Sequence, residues 1–205
     1  MRRLAFGRES LCLYTKGDSV HFPHWQHFLS LERDFIETIE FVELNQSNDG
    51  AFSVAYTKLF LAICSEIDVV AKLVCKKINA SSSARNIGDY CSEIIEKYPS
   101  FHTVECMIPR YGINIQPWAS WSGSSNPSWW QDHNKVKHQR DTHSTLANQK
   151  NVKESLCGLF CLLLYLYQPE LYSATLNPLP VLLDYERMPG HLSVNPGAVL
   201  PDIPR

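Results

Sequence analysis

Hydrophobic residues recur at helical spacing through the first half of the chain. Apolar side chains spaced in this way between residues 23 and 45 predict a first helix that ends before the turn-forming segment NQSNDG. Asp49–Asn79 is predicted to be the clearest amphipathic helix, and Ile87–Lys97 a shorter one. The stripe on the long helix comprises Phe52, Tyr56, Leu59, Phe60, Ile63, Ile67, Val70 and Val74.

The pattern changes after residue 100. HTVECMIP and YGINIQPW are short and rich in β-prone residues, and the turn at Pro109–Gly112 separates them, so a small hairpin or extended excursion is expected. A further helix should be capped by Ser125 or Asn126 and should run to about Arg140. The apolar segment Ser144–Tyr167 predicts a final helix.

Two long helices that can bury each other predict an all-α helical bundle with a small extended or β-hairpin insertion. The central pair should be Asp49–Asn79 and Ser144–Tyr167. The predicted organisation is an N-terminal extension (1–22), a helical domain (23–168) and a C-terminal tail (169–205). Because the tail holds seven of the twelve prolines, we expect it to drape over the body in an extended form or to be disordered.

Composition bears on the partners and the cellular compartment that we expect for this protein. A formal net charge of -2 gives no overall attraction to nucleic acid or anionic membranes, so any contact with RNA must use a local basic patch. Seven cysteines, with no CxxC pair, favour reduced thiols in a cytosol. The apolar run LCGLFCLLLYLY is shorter than the roughly 20 residues that span a bilayer. We therefore predict a cytoplasmic protein without a membrane segment.

The segment WWQDHNKVKHQR carries the most candidate chemistry. On a helix Asn134, His138 and Asp141 share one face, flanked by Lys137 and Arg140. An imidazole that titrates near neutral pH, beside cations that stabilise phosphate, suits metal-independent cleavage of RNA. The alternative is a solvated basic helix face without catalytic activity.

Glu66 has mostly apolar neighbours on its helix, so its carboxylate should meet a cation or hydrogen-bond donor from another helix. This residue either anchors two helices or supports a cation of the polar segment, whereas Asp68 is expected to be solvated. His21, His24 and His27 recur at three-residue spacing without an interleaved carboxylate or cysteine, which disfavours a metal site. No metal or cofactor is expected, and Trp129 and Trp130 are expected to be packing residues.

An EID helix, a WW segment containing N..KH.R and an AN..N terminal helix together resemble the HEPN superfamily, over roughly residues 25–167. The superfamily's ribonuclease motif places an arginine before a histidine, whereas here His138 precedes Arg140. The resemblance therefore extends to Asn134, Lys137, His138 and Arg140 of the N..KH.R variant.

This resemblance implies a helical bundle that is commonly a homodimer. For the dimer surface the sequence offers aromatic candidates, Trp118, Trp121 and Trp129. The resemblance also implies a metal-independent endoribonuclease in which His138 is the general acid/base, Arg140 and Lys137 stabilise phosphate, and Asn134 orients it. Glu66 would hold one of the cations. Such enzymes act as toxins or phage-defence effectors, with an antitoxin or defence-system partner. The alternative is a non-catalytic helical module that binds nucleotide, RNA or a protein partner.

Overall fold

The computed structural model describes residues 22–168, 176–185 and 200–202, and this part of the chain is mostly helical. The helices are α1 (Pro23–Ile39), α2 (Val54–Ile78), α3 (Ile87–Lys97), α4 (Ser128–His138), α5 (Arg140–His143) and α6 (Gln149–Leu166). The strands are β1 (Cys106–Ile108), β2 (Ile113–Ile115) and β3 (Asp184–Tyr185). The predicted helical fold with a hairpin insertion is confirmed at this level.

Helices α2 and α6 pack along each other and form the predicted central pair. The α2 stripe is buried from Tyr56 onward, whereas Phe52 precedes the helix and is exposed. Helix α2 begins later than predicted, at Val54, because the Ser53 side chain accepts a hydrogen bond from the Tyr56 backbone N–H at 3.0 Å. Helix α1 lies against both members of the pair, and α3 packs on α2.

The polar segment is divided between two helices, contrary to the single helix predicted up to Arg140. Helix α4 ends at His138 because Gln139 leaves the helical conformation, with φ -142° and ψ 48°. The N-cap position is Pro127, not Ser125 or Asn126, and it makes no side-chain capping bond. Helix α6 also starts later than predicted, at Gln149, after a short 3-10 turn over Ser144–Leu146.

Three tryptophans form an interior aromatic cluster and therefore do not provide the predicted dimer surface. Trp118, Trp121 and Trp129 are each at most 1% exposed. The Trp118 indole N–H donates to the Gly158 carbonyl at 3.1 Å. A Cβ at Gly158 would lie 3.2 Å from the Trp129 ring, a tight contact, so the close approach of α6 to this cluster favours glycine.

The predicted hairpin has a third strand that comes from the C-terminal tail. Strand β1 pairs antiparallel with β2 on one side and with β3 on the other. Glu32 on α1 holds the same part of the tail, because its buried carboxylate accepts the backbone N–H groups of residues 181–183 at 2.9 to 3.0 Å. The described tail segment 176–185 is thus extended and docked on the body.

The described cysteines are buried free thiols, including Cys157 and Cys161 in the α6 core. Burial raises the pKa of the Cys161 thiol well above its ordinary value, so it is an unreactive packing residue. Cys12 lies outside the described residues. Across the described part of the chain, no helix combines the length and apolar character that crossing a membrane requires.

Candidate functional site

The structure places the four residues proposed for catalysis at the surface where α4 ends. Asn134, Lys137 and His138 are exposed on α4, and Arg140 is exposed in the next helical turn. The break at Gln139 separates Asp141 from the helix that carries Asn134 and His138, so the predicted single helical face is interrupted. Within the described residues, none of the ion pairs involves Lys137, His138 or Arg140.

Glu66 lies between α2 and α1, and its partners are histidines. Its Oε1 lies 2.6 Å from His24 Nδ1, and its Oε2 lies 3.2 Å from His27 Nδ1. Glu66 is 8% exposed, so these contacts occur where the protein partly excludes water. The partners are therefore not the α4 cations that the sequence predicted. Glu66 therefore joins α2 to α1.

A cleft of about 500 Å³ lies between α2 and α4, beside the exposed polar residues. Its volume falls within the range of about 300 to 1,000 Å³ that is typical of small-molecule pockets. Two cations line the cleft, Arg85 from the segment before α3 and Lys137 from α4. The remaining lining residues are Leu61, Cys64, Ser65, Asp68, Trp130, His133 and Asn134. His138 and Arg140 are not among the lining residues, although His138 directly follows Lys137.

His133 is the most distinctive residue of this cleft. It is 5% exposed, and its buried Nδ1 atom has no hydrogen-bond partner among the described residues. Burial, together with the positive charge of Lys137 and the neighbouring His138, lowers the pKa of His133 to about 4. The imidazole is therefore neutral at physiological pH. Its ring packs edge-to-face on Phe60 and at a tilt against Trp130, with centroid distances of 5.7 and 5.3 Å.

Asp68 belongs to the cleft, and the expectation that it is merely solvated is wrong. The Tyr90 hydroxyl donates to its Oδ1 at 2.7 Å, and Lys72 pairs with its Oδ2. Burial and this hydrogen bond to Asp68 raise the pKa of Tyr90, so the phenol stays protonated as a donor. The carboxylate is consequently fixed on the wall of the cleft, and Lys72 offsets its charge.

Sequence reasoning placed Asn134 and Lys137 in the site but missed the other polar cleft residues: Ser65, Asp68, Arg85 and His133. Asp68 and His133 lie within two of the three motifs that carry the resemblance. Helical spacing offered a signal for His133, because it precedes Lys137 by four residues. No local pattern marks Arg85, because it reaches the cleft from the connection between α2 and α3.

The histidine-rich segment does not assemble a metal site within the described residues, where no group of three histidine, cysteine or carboxylate side chains has suitable geometry. His21 lies outside those residues. His24 and His27 instead face the Glu66 carboxylate.

The chain matches no family model, no curated protein and no solved structure. The HEPN resemblance therefore stays a prediction from the three sequence motifs.

Proposed function

We propose that this protein is a HEPN-like helical module that binds RNA through the exposed end of α4 and the mouth of the α2–α4 cleft. The observation that carries the proposal is the convergence of Arg85 and Lys137 on one cleft. Two cations from separate segments can each contact a phosphate, while Ser65 and Asn134 add neutral hydrogen-bonding groups.

Local charge favours a polyanion here although the whole chain carries a formal net charge of -2. Lys72 offsets the charge of Asp68 inside the cleft, which leaves Arg85 and Lys137 available to a ligand. Arg140 adds an exposed positive charge just beyond the end of α4. A phosphate backbone crossing this surface would meet cations on both sides of the cleft mouth.

Binding can be measured by fluorescence anisotropy with a labelled single-stranded RNA. We expect Lys137→Gln and Arg85→Gln each to weaken binding several-fold, because each removes one phosphate contact. Lys97→Gln is the matched control, since it removes an exposed lysine at the end of α3, outside the cleft. Equal affinities for the three variants and the wild type would contradict the proposal.

Metal-independent endoribonuclease activity is a second candidate, favoured by the position of His138. Its exposed imidazole follows the cleft residue Lys137 directly. In this mechanism His138 takes the proton of the 2′-hydroxyl, and the 2′-oxygen attacks phosphorus to form a cyclic phosphate. The bond to the 5′-oxygen breaks, that oxygen takes a proton from solvent water, and His138 returns its proton to the solvent. Arg140 and Lys137 stabilise the added negative charge, and Asn134 orients the phosphate.

One experiment, incubation with total RNA in EDTA, distinguishes the RNA-binding module from the endoribonuclease. If the protein is an endoribonuclease, the wild type should cleave the RNA. His138→Ala should abolish this cleavage without changing the melting temperature. Because His138 is exposed, the variant should fold normally. If the wild type binds RNA and does not cleave it, the result supports the non-catalytic binding module. A toxin or phage-defence role, with its antitoxin or defence partner, belongs to the catalytic candidate.

A homodimer remains part of the proposal, on a different surface from the one first predicted. Large exposed apolar side chains lie near the end of α1 and the start of α2, at Phe41, Phe52 and Val54. Light scattering should give a dimer for the wild type and a monomer for Phe41→Ser. A wild-type monomer at micromolar concentration would contradict this part of the proposal.

A further inference from the structure

A groove of about 390 Å³ lies between α1 and α2 and shares no lining residue with the α2–α4 cleft. Its most deeply buried lining residues are Leu31 of α1 and Leu59 of α2. Ala55 and Ala62 keep the α2 side open because their side chains are small. Phe41, which is 88% exposed, lies at the same groove. The groove therefore offers apolar surface to a segment that can bury it.

The α1 side of this groove is acidic. Asp34 and Glu37 line it and are exposed, and neither belongs to an ion pair within the described residues. Glu40 and Glu43 are exposed in the chain just after α1, whereas Lys58 lies on the α2 side. The complementary occupant is a segment with apolar side chains and an excess of positive charge.

The N-terminal segment, residues 1–21, has this composition and precedes the described residues. Its cations are Arg2, Arg3, Arg8 and Lys16, and its acids are Glu9 and Asp18. Its apolar residues include Leu4, Phe6, Leu11, Leu13 and Tyr14. The segment thus offers the charge and the apolar side chains that the groove lacks.

The segment is also long enough to reach the groove from the start of α1. A helix rises about 1.5 Å per residue, so residues 31–38 lie roughly 14 to 24 Å from Phe22 along α1. Cys12 precedes Phe22 by ten residues. An extended chain spans about 3.3 Å per residue, so Cys12 can lie as far as roughly 33 Å from Phe22. The apolar residues next to Cys12 can therefore contact the whole groove.

We infer that the N-terminal segment binds in the α1–α2 groove of its own chain. The apolar residues around Cys12 pack on Leu31 and Leu59, and the arginines of the segment lie near Asp34 and Glu37. The inference does not depend on RNA binding. It leaves Phe52 and Val54 of the proposed dimer surface exposed, because neither lines the groove.

Disulfide trapping in the full chain tests this contact. The described cysteines are buried, so Cys12 is the natural thiol that reports on the segment. Ala55→Cys places a thiol at an exposed position of the groove. With diamide as the oxidant, we expect a disulfide between Cys12 and the introduced thiol of the same chain, identified by mass spectrometry of unreduced peptides.

Ser92→Cys is the matched control, since it introduces an exposed thiol on α3, outside the groove. Its disulfide with Cys12 should form at least fivefold more slowly. Both substitutions are at exposed positions, and melting temperatures establish that both variants fold.

Charge reversal tests the electrostatic part of the inference in the Ala55→Cys chain. Asp34→Lys should slow the disulfide several-fold, because it places a cation beside the cationic segment. Adding Arg2→Glu, Arg3→Glu and Arg8→Glu to Asp34→Lys should restore part of the rate. An unchanged rate in Asp34→Lys would contradict the charge pairing.

Equal rates for Ala55→Cys and Ser92→Cys would overturn the inference. A disulfide that links two chains, seen on a non-reducing gel, would overturn it as well, because a second copy would then supply the segment. Neither result bears on the proposed RNA binding, whose residues lie in the other cleft.

Discussion

The Nδ1 atom of His24 lies 2.6 Å from Oε1 of Glu66, and this contact joins α1 to α2. His27 approaches the other carboxylate oxygen at 3.2 Å. One nearly buried acid on α2 therefore holds two histidines that lie one turn apart on α1. The spacing of the histidines, which superficially suggests a metal site, serves here to place two ring nitrogens at one carboxylate.

Glu66→Gln should destabilise the fold by about 1 to 3 kcal/mol, because the two histidines lose a charged acceptor where water is partly excluded. Urea unfolding at pH 7 measures this loss. Glu37→Gln is the control, since Glu37 is exposed on α1, the helix that carries both histidines, and should change stability by no more than about 0.5 kcal/mol. Equal stabilities of the two variants would show that the Glu66 contacts contribute nothing.

The buried histidine of the cleft should make stability depend on pH. His133 has a lower pKa in the folded chain than in the unfolded chain, about 4 instead of 6.5. Between these values the unfolded state binds more protons, so the stabilisation is complete above pH 6.5 and is lost as the pH falls towards 4. The loss should amount to about 3 kcal/mol, measured by urea unfolding across this range.

His133→Phe identifies the part of this pH dependence that belongs to the cleft. The variant keeps an aromatic ring at the position but has no proton to bind, so its stability should fall less than that of the wild type between pH 6.5 and 4. Identical pH profiles for the two proteins would contradict a neutral buried His133.

Glu32 should control the docking of the C-terminal tail. Glu32→Ala leaves the backbone N–H groups of residues 181–183 without their acceptor, and each unsatisfied buried donor costs about 1 to 3 kcal/mol. We expect faster amide hydrogen exchange at residues 181–183 and a lower melting temperature. Arg33→Ala, an exposed neighbour on α1, is the control and should preserve both properties. Unchanged exchange in Glu32→Ala would contradict this role.

The periodicity of apolar residues was sufficient to predict the helices whose apolar stripes pack against the core. Helix α3 has the predicted bounds Ile87–Lys97, and α2 and α6 form the predicted pair. The ends of the helices were harder to predict, because they depend on capping and on the direction that the chain takes beyond the helix. Gln139 interrupts the polar segment without proline or glycine, and Phe41 lies outside α1 although its hydrophobicity suggested a longer helix.

The candidate site was only partly predictable because its residues come from separate parts of the chain. Asn134 and Lys137 follow from a local pattern, but Arg85 joins them through the packing of α3 on α2. The partners of Glu66 could not be assigned either. Helical spacing shows that its carboxylate needs a hydrogen-bond donor, but it does not show which helix supplies that donor. Similarly, Trp118 and Trp121 are buried although they lie in an irregular segment that has no periodicity.

The salt dependence of RNA binding tests the central claim most directly. For single strands, the slope of log affinity against log salt concentration changes by about 0.7 for each phosphate contact. The double variant Arg85→Gln/Lys137→Gln should therefore have a slope that is shallower by about 1.4 than that of the wild type, with an unchanged melting temperature. Lys97→Gln should retain the wild-type slope. A double variant with the wild-type slope and affinity would contradict RNA binding at the α2–α4 cleft.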